Sequence, residues 1–280
     1  ACFLAAMLNS QPLGFYGPSQ LVQDAQRHGV EVRAVDVSHS DWDCTLEVMG
    51  SDHRLAQQGV RSDPIRSEQP AIRLGLRMVS GLRHAVGERI YAERMQQAFT
   101  STQDLALRCG LNEADLKSLA SADALLSLSG HRRQQVWDAS ALKPAPALLR
   151  GIPIEEDELL LPAAEEGEEV VFDYASLGLT LRSHPLALLR NELVKKKLLT
   201  AAQLASLPHG RLVRACGMVT MRQRPQTAKG VVFITLEDET GSVNVIVWKS
   251  VRERFRQEVY RSRLLAVYGV WQRDEESGGN

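Results

Sequence analysis

The stretch on which the fold turns runs Val231-Val232-Phe233-Ile234-Thr235-Leu236-Glu237-Asp238-Glu239-Thr240-Gly241-Ser242-Val243-Asn244-Val245-Ile246-Val247-Trp248. Two runs rich in β-branched and aromatic residues flank Asp238-Glu239-Thr240-Gly241, a polar turn built around glycine, and together they read as a β-hairpin. Outward from it the period stays at 2. Leu212 to Val219 forms a strand before the hairpin and Leu264 to Trp271 one after it, with a short helix from about Val251 to Tyr260 ahead of the last strand.

Three strands, a helix and a further strand is the order expected of an OB fold, a five-stranded Greek-key barrel. Only four strands fit before Ser277-Gly278-Gly279-Asn280, so the barrel, over 211–280, reads as incomplete at its C-terminus. A helical lead-in covers 184–210. Its helix from Pro185 to Lys197 ends in Lys195-Lys196-Lys197, where cations suit the negative end of the helix dipole.

Further upstream, 143–183 carries Pro144, Pro146, Pro153 and Pro162, with nine acidic and no basic residues from Glu155 to Asp173, and reads as a connector. Residues 76–142 are short helices broken by glycine, an all-α module. Residues 1–75 are mixed α/β. A helix end at Cys2 to Asn9 and a helix from Pro18 to His28 precede strands at Val30 to Val37, Cys44 to Val48 and Ala71 to Leu76. The class is α+β, multidomain.

Composition narrows the function. A chain of 280 residues with 44% hydrophobic and 24% charged content is globular and long enough for about two domains. With 33 Lys and Arg against 34 Asp and Glu, a net charge of -1 gives no global pull toward nucleic acid or anionic membrane. No apolar stretch reaches the roughly 20 residues of a membrane span. Cys2, Cys44, Cys109 and Cys216 lie far apart, without histidine at ligand spacing, and read as reduced thiols rather than a zinc site. No nucleophile–base set, P-loop or dinucleotide fingerprint is present, so no catalytic residue and no metal ligand is assigned. Asp41-Trp42-Asp43 has the spacing of a Mg²⁺-binding carboxylate pair, but in a turn it is read as structural.

The charge is local. Arg211 to Arg273 holds twelve Lys and Arg against five Asp and Glu. Arg222, Arg224 and Lys229 fall in the loop between the first two barrel strands. Phe233 and Trp248 lie on the second and third strands, and Lys249 follows. Cations that neutralise phosphates and an aromatic face that stacks bases suit single-stranded nucleic acid. The two aromatics either stack bases or fill the barrel core. A second candidate is Ser80, Gly81, Leu82 and Arg83, a tight turn between helices of the helix-hairpin-helix kind, whose backbone amides would face duplex phosphates. A plain helix connector would have the same sequence.

Three stretches carry a resemblance: Phe3-Leu4-Ala5-Ala6-Met7-Leu8-Asn9-Ser10-Gln11-Pro12-Leu13-Gly14-Phe15-Tyr16; Val35-Asp36-Val37 through Ser40-Asp41-Trp42-Asp43-Cys44-Thr45; and Arg222-Gln223-Arg224-Pro225-Gln226-Thr227-Ala228-Lys229-Gly230 running into the hairpin as far as Gly241. Together they resemble the C-terminal part of bacterial C-family DNA polymerases, in particular the damage-inducible, error-prone paralogues of the polymerase III alpha subunit. The resemblance implies the end of a fingers domain to about residue 75, a helix-hairpin-helix region, a connector and an OB domain. It places Asp41 and Asp43 in a motif following the fingers, and the palm carboxylates with their Mg²⁺ upstream, leaving this fragment without a cofactor. The parent would be a DNA-directed DNA polymerase, a nucleotidyltransferase of translesion synthesis and damage-induced mutagenesis in the bacterial cytoplasm. The fragment, inactive alone, would hold primer-template duplex and single-stranded template.

Implied partners are DNA, other mutasome proteins and, through them, the sliding clamp, because no Gln-x-x-hydrophobic-x-aromatic peptide occurs between Lys143 and Ser183. No membrane partner is implied. The start without methionine reads as a piece of something longer. Two alternatives stay open, a mutasome interaction platform with little DNA binding of its own and the matching part of a replicative alpha subunit.

Overall fold

The computed structural model describes residues 1–12, 14, 16–47, 70–141, 160–228 and 230–273. The chain divides into two compact units, Ala1–Arg182 and Ser183–Asn280.

The first unit opens with α1 (Cys2–Asn9) and α2 (Pro18–Arg27), the latter started by a proline whose fixed φ suits the first helical turn. A small sheet follows, β1 (Val32–Arg33), β2 (Thr45–Glu47) and β3 (Ala71–Arg73). Its order is β1-β3-β2, β3 running parallel to β1 and antiparallel to β2. A 3₁₀ turn at Leu76–Met78 leads into five helices, α3 (His84–Gln96), α4 (Thr102–Cys109), α5 (Glu113–Ser121), α6 (Leu126–Ser129) and α7 (Arg132–Ala141). Side chains set the helix starts. Ser101 Oγ accepts the Asp104 amide at 3.1 Å, and Asn112 and Asp115 cap α5 reciprocally.

Two expectations are corrected here. The strand read over Val30 to Val37 is only two residues long, because Val35 and Val37 are buried in the core instead of extending a ladder. The connector is not uniformly extended, since 166–176 form helix α8 (Glu166–Ser176). Its acidic residues misled the compositional reading because two of them are buried counterions. Arg132, 2% exposed, ion-pairs with Glu169 at 2.8 Å and with Asp173. Arg182 bridges Asp173 at 3.1 Å and Asp123 at 2.8 Å. One hydrophobic core runs from Leu4 through Ile72, Ile90 and Leu119 to Leu179, so the pieces read separately as 1–75 and 76–142 share an interior with the end of the acidic stretch.

The second unit begins with α9 (Pro185–Lys195) and α10 (Ala201–Ala205). The strands β4 (Leu212–Gln223), β5 (Val232–Asp238) and β6 (Gly241–Val247) precede α11 (Lys249–Arg254), α12 (Arg256–Arg261) and β7 (Leu264–Val270). All pairings are antiparallel in the order β6-β5-β4-β7. This is the OB arrangement as a curled half-barrel. The fifth strand that would close it between β6 and β7 is absent among the described residues.

The curl has a local cause. The register of β4 on β5 slips between Val219 and Met221, a bulge that bends the strand. At Gly217 the two strands approach so closely that a Cβ would stand 2.7 Å from the Leu236 Cβ. Inside the curl Val232, Ile234, Leu236 and Val247 pack under Val259 of α12. The β5–β6 turn is held by Asp238, whose Oδ1 accepts the amides of Thr240 and Gly241 at 2.8 and 3.0 Å, while its Oδ2 accepts the Ala201 amide of α10 at 2.8 Å. Arg190 of α9 grips Glu239 through two bonds of 2.6 and 2.7 Å.

Candidate nucleic-acid interface

The outer face of the half-barrel follows from strand alternation. Val232, Ile234 and Leu236 point inward, so Phe233 and Thr235 face out, and the register sets Phe233 opposite Ile246 and Thr235 opposite Asn244. On the other side of β5, Gln223 lies opposite Phe233 and Met221 opposite Thr235. Phe233 is 39% exposed and Ile246 is also exposed. The Thr235 hydroxyl donates to Asn244 Oδ1 at 3.0 Å. One aromatic ring, aliphatic surface and several amide and hydroxyl groups, none of these six side chains charged, thus share an open face on which bases can stack and find hydrogen-bond partners.

The structure resolves the choice left open for the aromatics in favour of exposure. Phe233 is outside the barrel, and Trp248, 61% exposed, is the N-cap of α11 just past the end of β6. Lys249, exposed, is the first residue of α11.

The basic loop is rearranged. Arg222 belongs to β4, not to the loop, and its guanidinium turns into the fold: Nε donates to the Val259 carbonyl at 2.8 Å and Nη2 to the Ser262 carbonyl. Burial pulls its pKa below the ordinary arginine value. Arg222 therefore ties the end of α12 to the barrel, a correction to its placement among the loop cations. Arg224 is exposed just beyond the strand, and Lys229 lies outside the described residues.

In the first unit the turn from Ser80 to Arg83 leads into α3 but is preceded by the three-residue 3₁₀ segment Leu76–Met78 instead of an α-helix. Gly81 sits at φ +81°, a left-handed geometry that strains any residue with a Cβ. His84 and Ala85 open α3, where the first amides of a helix lack intrahelical partners. The neighbouring residues are more constrained than the sequence implied. The Ser80 amide donates to the Ser176 carbonyl at 2.8 Å, Leu82 is buried in the core, and Arg83 makes two bonds to the buried carboxylate of Asp115 at 2.8 and 3.1 Å. The Arg83 charge is thus balanced locally.

Asp41 and Asp43 diverge to separate arginines, Asp41 to Arg94 at 2.5 Å and Asp43 to Arg77 at 2.7 Å. That pairing does not fit a shared Mg²⁺, and the described residues contain no group of three His, Cys, Asp or Glu that could hold a metal ion. The buried thiols of Cys44, Cys109 and Cys216 are pushed up by desolvation, Cys109 to about 11. Among the described residues no helix is long and apolar enough to cross a membrane.

Comparison with known proteins agrees with this geometry. Residues 29–135 match the helix-hairpin-helix motif family and 213–279 the OB-fold nucleic acid binding domain family. An error-prone DNA polymerase of Ralstonia nicotianae is 52% identical over 99% of this chain, and those of Alkalilimnicola ehrlichii and Methylococcus capsulatus are 48% and 47% identical over 98%. The chain is similar to error-prone DNA polymerases along nearly all of its residues. It spans about a quarter of the length of these relatives, covering 25%, 25% and 26% of them.

Sequence reasoning missed Met221, Gln223, Thr235, Asn244 and Ile246 as members of the outer face. Strict alternation in Gly241 to Val247, where Val243, Val245 and Val247 must face one way, was the signal for Asn244 and Ile246.

Proposed function

We propose that this chain is a DNA-holding part of a bacterial error-prone DNA polymerase that acts in translesion synthesis and damage-induced mutagenesis. The observation that carries the reading is the exposed cluster of Phe233, Ile246, Thr235, Asn244, Gln223 and Met221 on the outer face of a basic OB unit, in a chain similar to such polymerases along nearly its whole length. The OB unit takes single-stranded template on Phe233, Thr235, Asn244, Ile246 and Trp248. The Gly81 hairpin meets duplex backbone through the amides at the start of α3, with Ser80, Leu82 and Arg83 fixing its shape. In this reading the catalytic carboxylates and their Mg²⁺ belong to another part of the polymerase, the chain alone is inactive, and mutasome proteins connect it to the sliding clamp in the cytoplasm.

Fluorescence anisotropy of labelled single-stranded and duplex DNA with the 280-residue chain, at about 50 and about 200 mM salt, tests it, because phosphate contacts appear as a falling log affinity. Salt-dependent binding of both forms is expected. A folded sample that binds neither overturns the reading.

A second reading, a protein-interaction platform, is favoured by one observation. Leu212, Leu264, Tyr268 and Val270 form an exposed apolar row on the outer side of β4 and β7.

A further inference from the structure

Between the start of the β4–β5 connection and helices α11 and α12 lies an open groove of about 840 Å³. Arg224 lines one side, and Arg252, Arg256 and Arg261 come from the helices, together with Tyr260 and the carboxylate of Glu253. Only one arginine is built into the fold. Arg252 donates to the Gly230 carbonyl at 2.7 Å and pairs with Glu253 at 3.2 Å, so the one carboxylate that lines the groove among the described residues is already matched. Arg224, Arg256 and Arg261 are exposed and make no ion pair among the described residues. The segment Lys249 to Arg263 carries six cations against two carboxylates. Like charges gathered on so short a stretch repel one another, and these three guanidiniums return no internal bond for it.

What would satisfy them is an anion with several oxygens. The planar guanidinium fork matches phosphate bidentately, and a groove of this volume holds more than a single phosphate. Its position says which phosphates. Arg224 directly follows Gln223, the register partner of Phe233, and Trp248 is the N-cap of the helix that bears Arg252. The groove therefore continues from the end of the aromatic face. We infer that it is a phosphodiester track: the backbone of a single strand runs along α11 and α12 between Arg224, Arg256 and Arg261, while its bases turn onto Phe233. The inference rests on the reading of the OB unit as a single-strand binder and adds which residues hold the backbone. A free polyphosphate offers the same chemistry from another source.

The test uses the 280-residue chain and labelled oligo(dT), reading the slope of log affinity against log salt. Each lost contact to a single strand lowers that slope by about 0.7. Arg256→Gln with Arg261→Gln should lower it by about 1.4, and Arg256→Lys with Arg261→Lys should restore most of it. Arg224→Gln, in an exposed loop, should lower it by about 0.7 and serves as the check should the helix variants fail to fold. Phe233→Ala should weaken binding with no change of slope. An unchanged slope in the Gln variants, with salt-dependent binding by the parent chain, overturns the track and leaves the OB reading standing. No binding of oligo(dT) by the parent chain overturns both. Binding of inorganic tripolyphosphate that the Arg256→Gln, Arg261→Gln variant loses while its oligo(dT) affinity and salt slope stay at the parent values overturns the track in favour of a free-polyphosphate site.

Discussion

Arg222→Met separates a structural arginine from a DNA-binding one. The substitution keeps most of the side-chain stem and deletes the guanidinium that donates to the Val259 and Ser262 carbonyls. Hydrogen bonds from a charged donor contribute about 1.5–3 kcal/mol each, but the side chain is only partly buried and its removal also relieves a desolvated charge. A net loss of about 2 kcal/mol is the central expectation for the OB unit. For a cooperative unit of this size, about 1 kcal/mol moves the midpoint by roughly 4–8 °C, so the variant should melt some 8–16 °C earlier. Thermal unfolding followed by circular dichroism reads the shift, and oligo(dT) titrations well below the melting range read the salt slope, which should stay at the parent value. A variant that melts with the parent chain yet loses about 0.7 from its slope would show that Arg222 reaches phosphate and that its two carbonyl bonds are dispensable.

Phe233→Ala should cost about 1–3 kcal/mol of single-strand affinity, roughly 5- to 150-fold, with an unchanged melting temperature, since the ring is on the outer face; titration with oligo(dT) beside a melting curve checks both. Asp173→Ala leaves Arg132 buried with part of its counter-charge gone and should destabilise the first unit by about 3–5 kcal/mol in urea unfolding, whereas an effect under 1 kcal/mol would mean that Arg182 and Asp123 rearrange to compensate. Of the four cysteines, Cys2 should react with a thiol reagent at pH 8 at once, while Cys44, Cys109 and Cys216, buried and with pKa values raised by burial, should wait for denaturant; fast modification of Cys109 would contradict its burial.

The half-barrel was legible because its signal is local. Period-2 alternation and the Asp238–Gly241 turn fix β5, β6 and β7 within a residue or two, while β4 runs four residues past the Val219 read as its end, and the strand–helix–strand order fixes their arrangement. Helices α4 and α5 were legible from local signals too, through Ser101 and Gly110 at the ends of α4 and Asn112 at the start of α5. What the sequence could not show was where long side chains end. Arg222 and Arg224 sit two residues apart in one basic run, yet one bonds carbonyls across the barrel and the other stays exposed, a difference set by where β4 ends, since Arg222 is inside the strand beneath α12 and Arg224 lies beyond it. Glu169 and Asp173 looked like solvated members of an acidic run because their partner, Arg132, is more than thirty residues away in sequence. The arginine groove was hidden likewise, since Arg224 and Arg261 meet only after β7 pairs back on β4.

The central claim, that a single strand lies on the outer face of β5 and β6 and along α11 and α12, is tested most directly by photocrosslinking. Oligonucleotides carrying 5-iodouracil, irradiated with the 280-residue chain and mapped by mass spectrometry, report which aromatic rings touch bases. Crosslinks at Phe233, Trp248 and Tyr260 are the expected result, and crosslinks confined to the first unit or to Tyr268 on β7, the opposite edge strand of the sheet, would contradict the account.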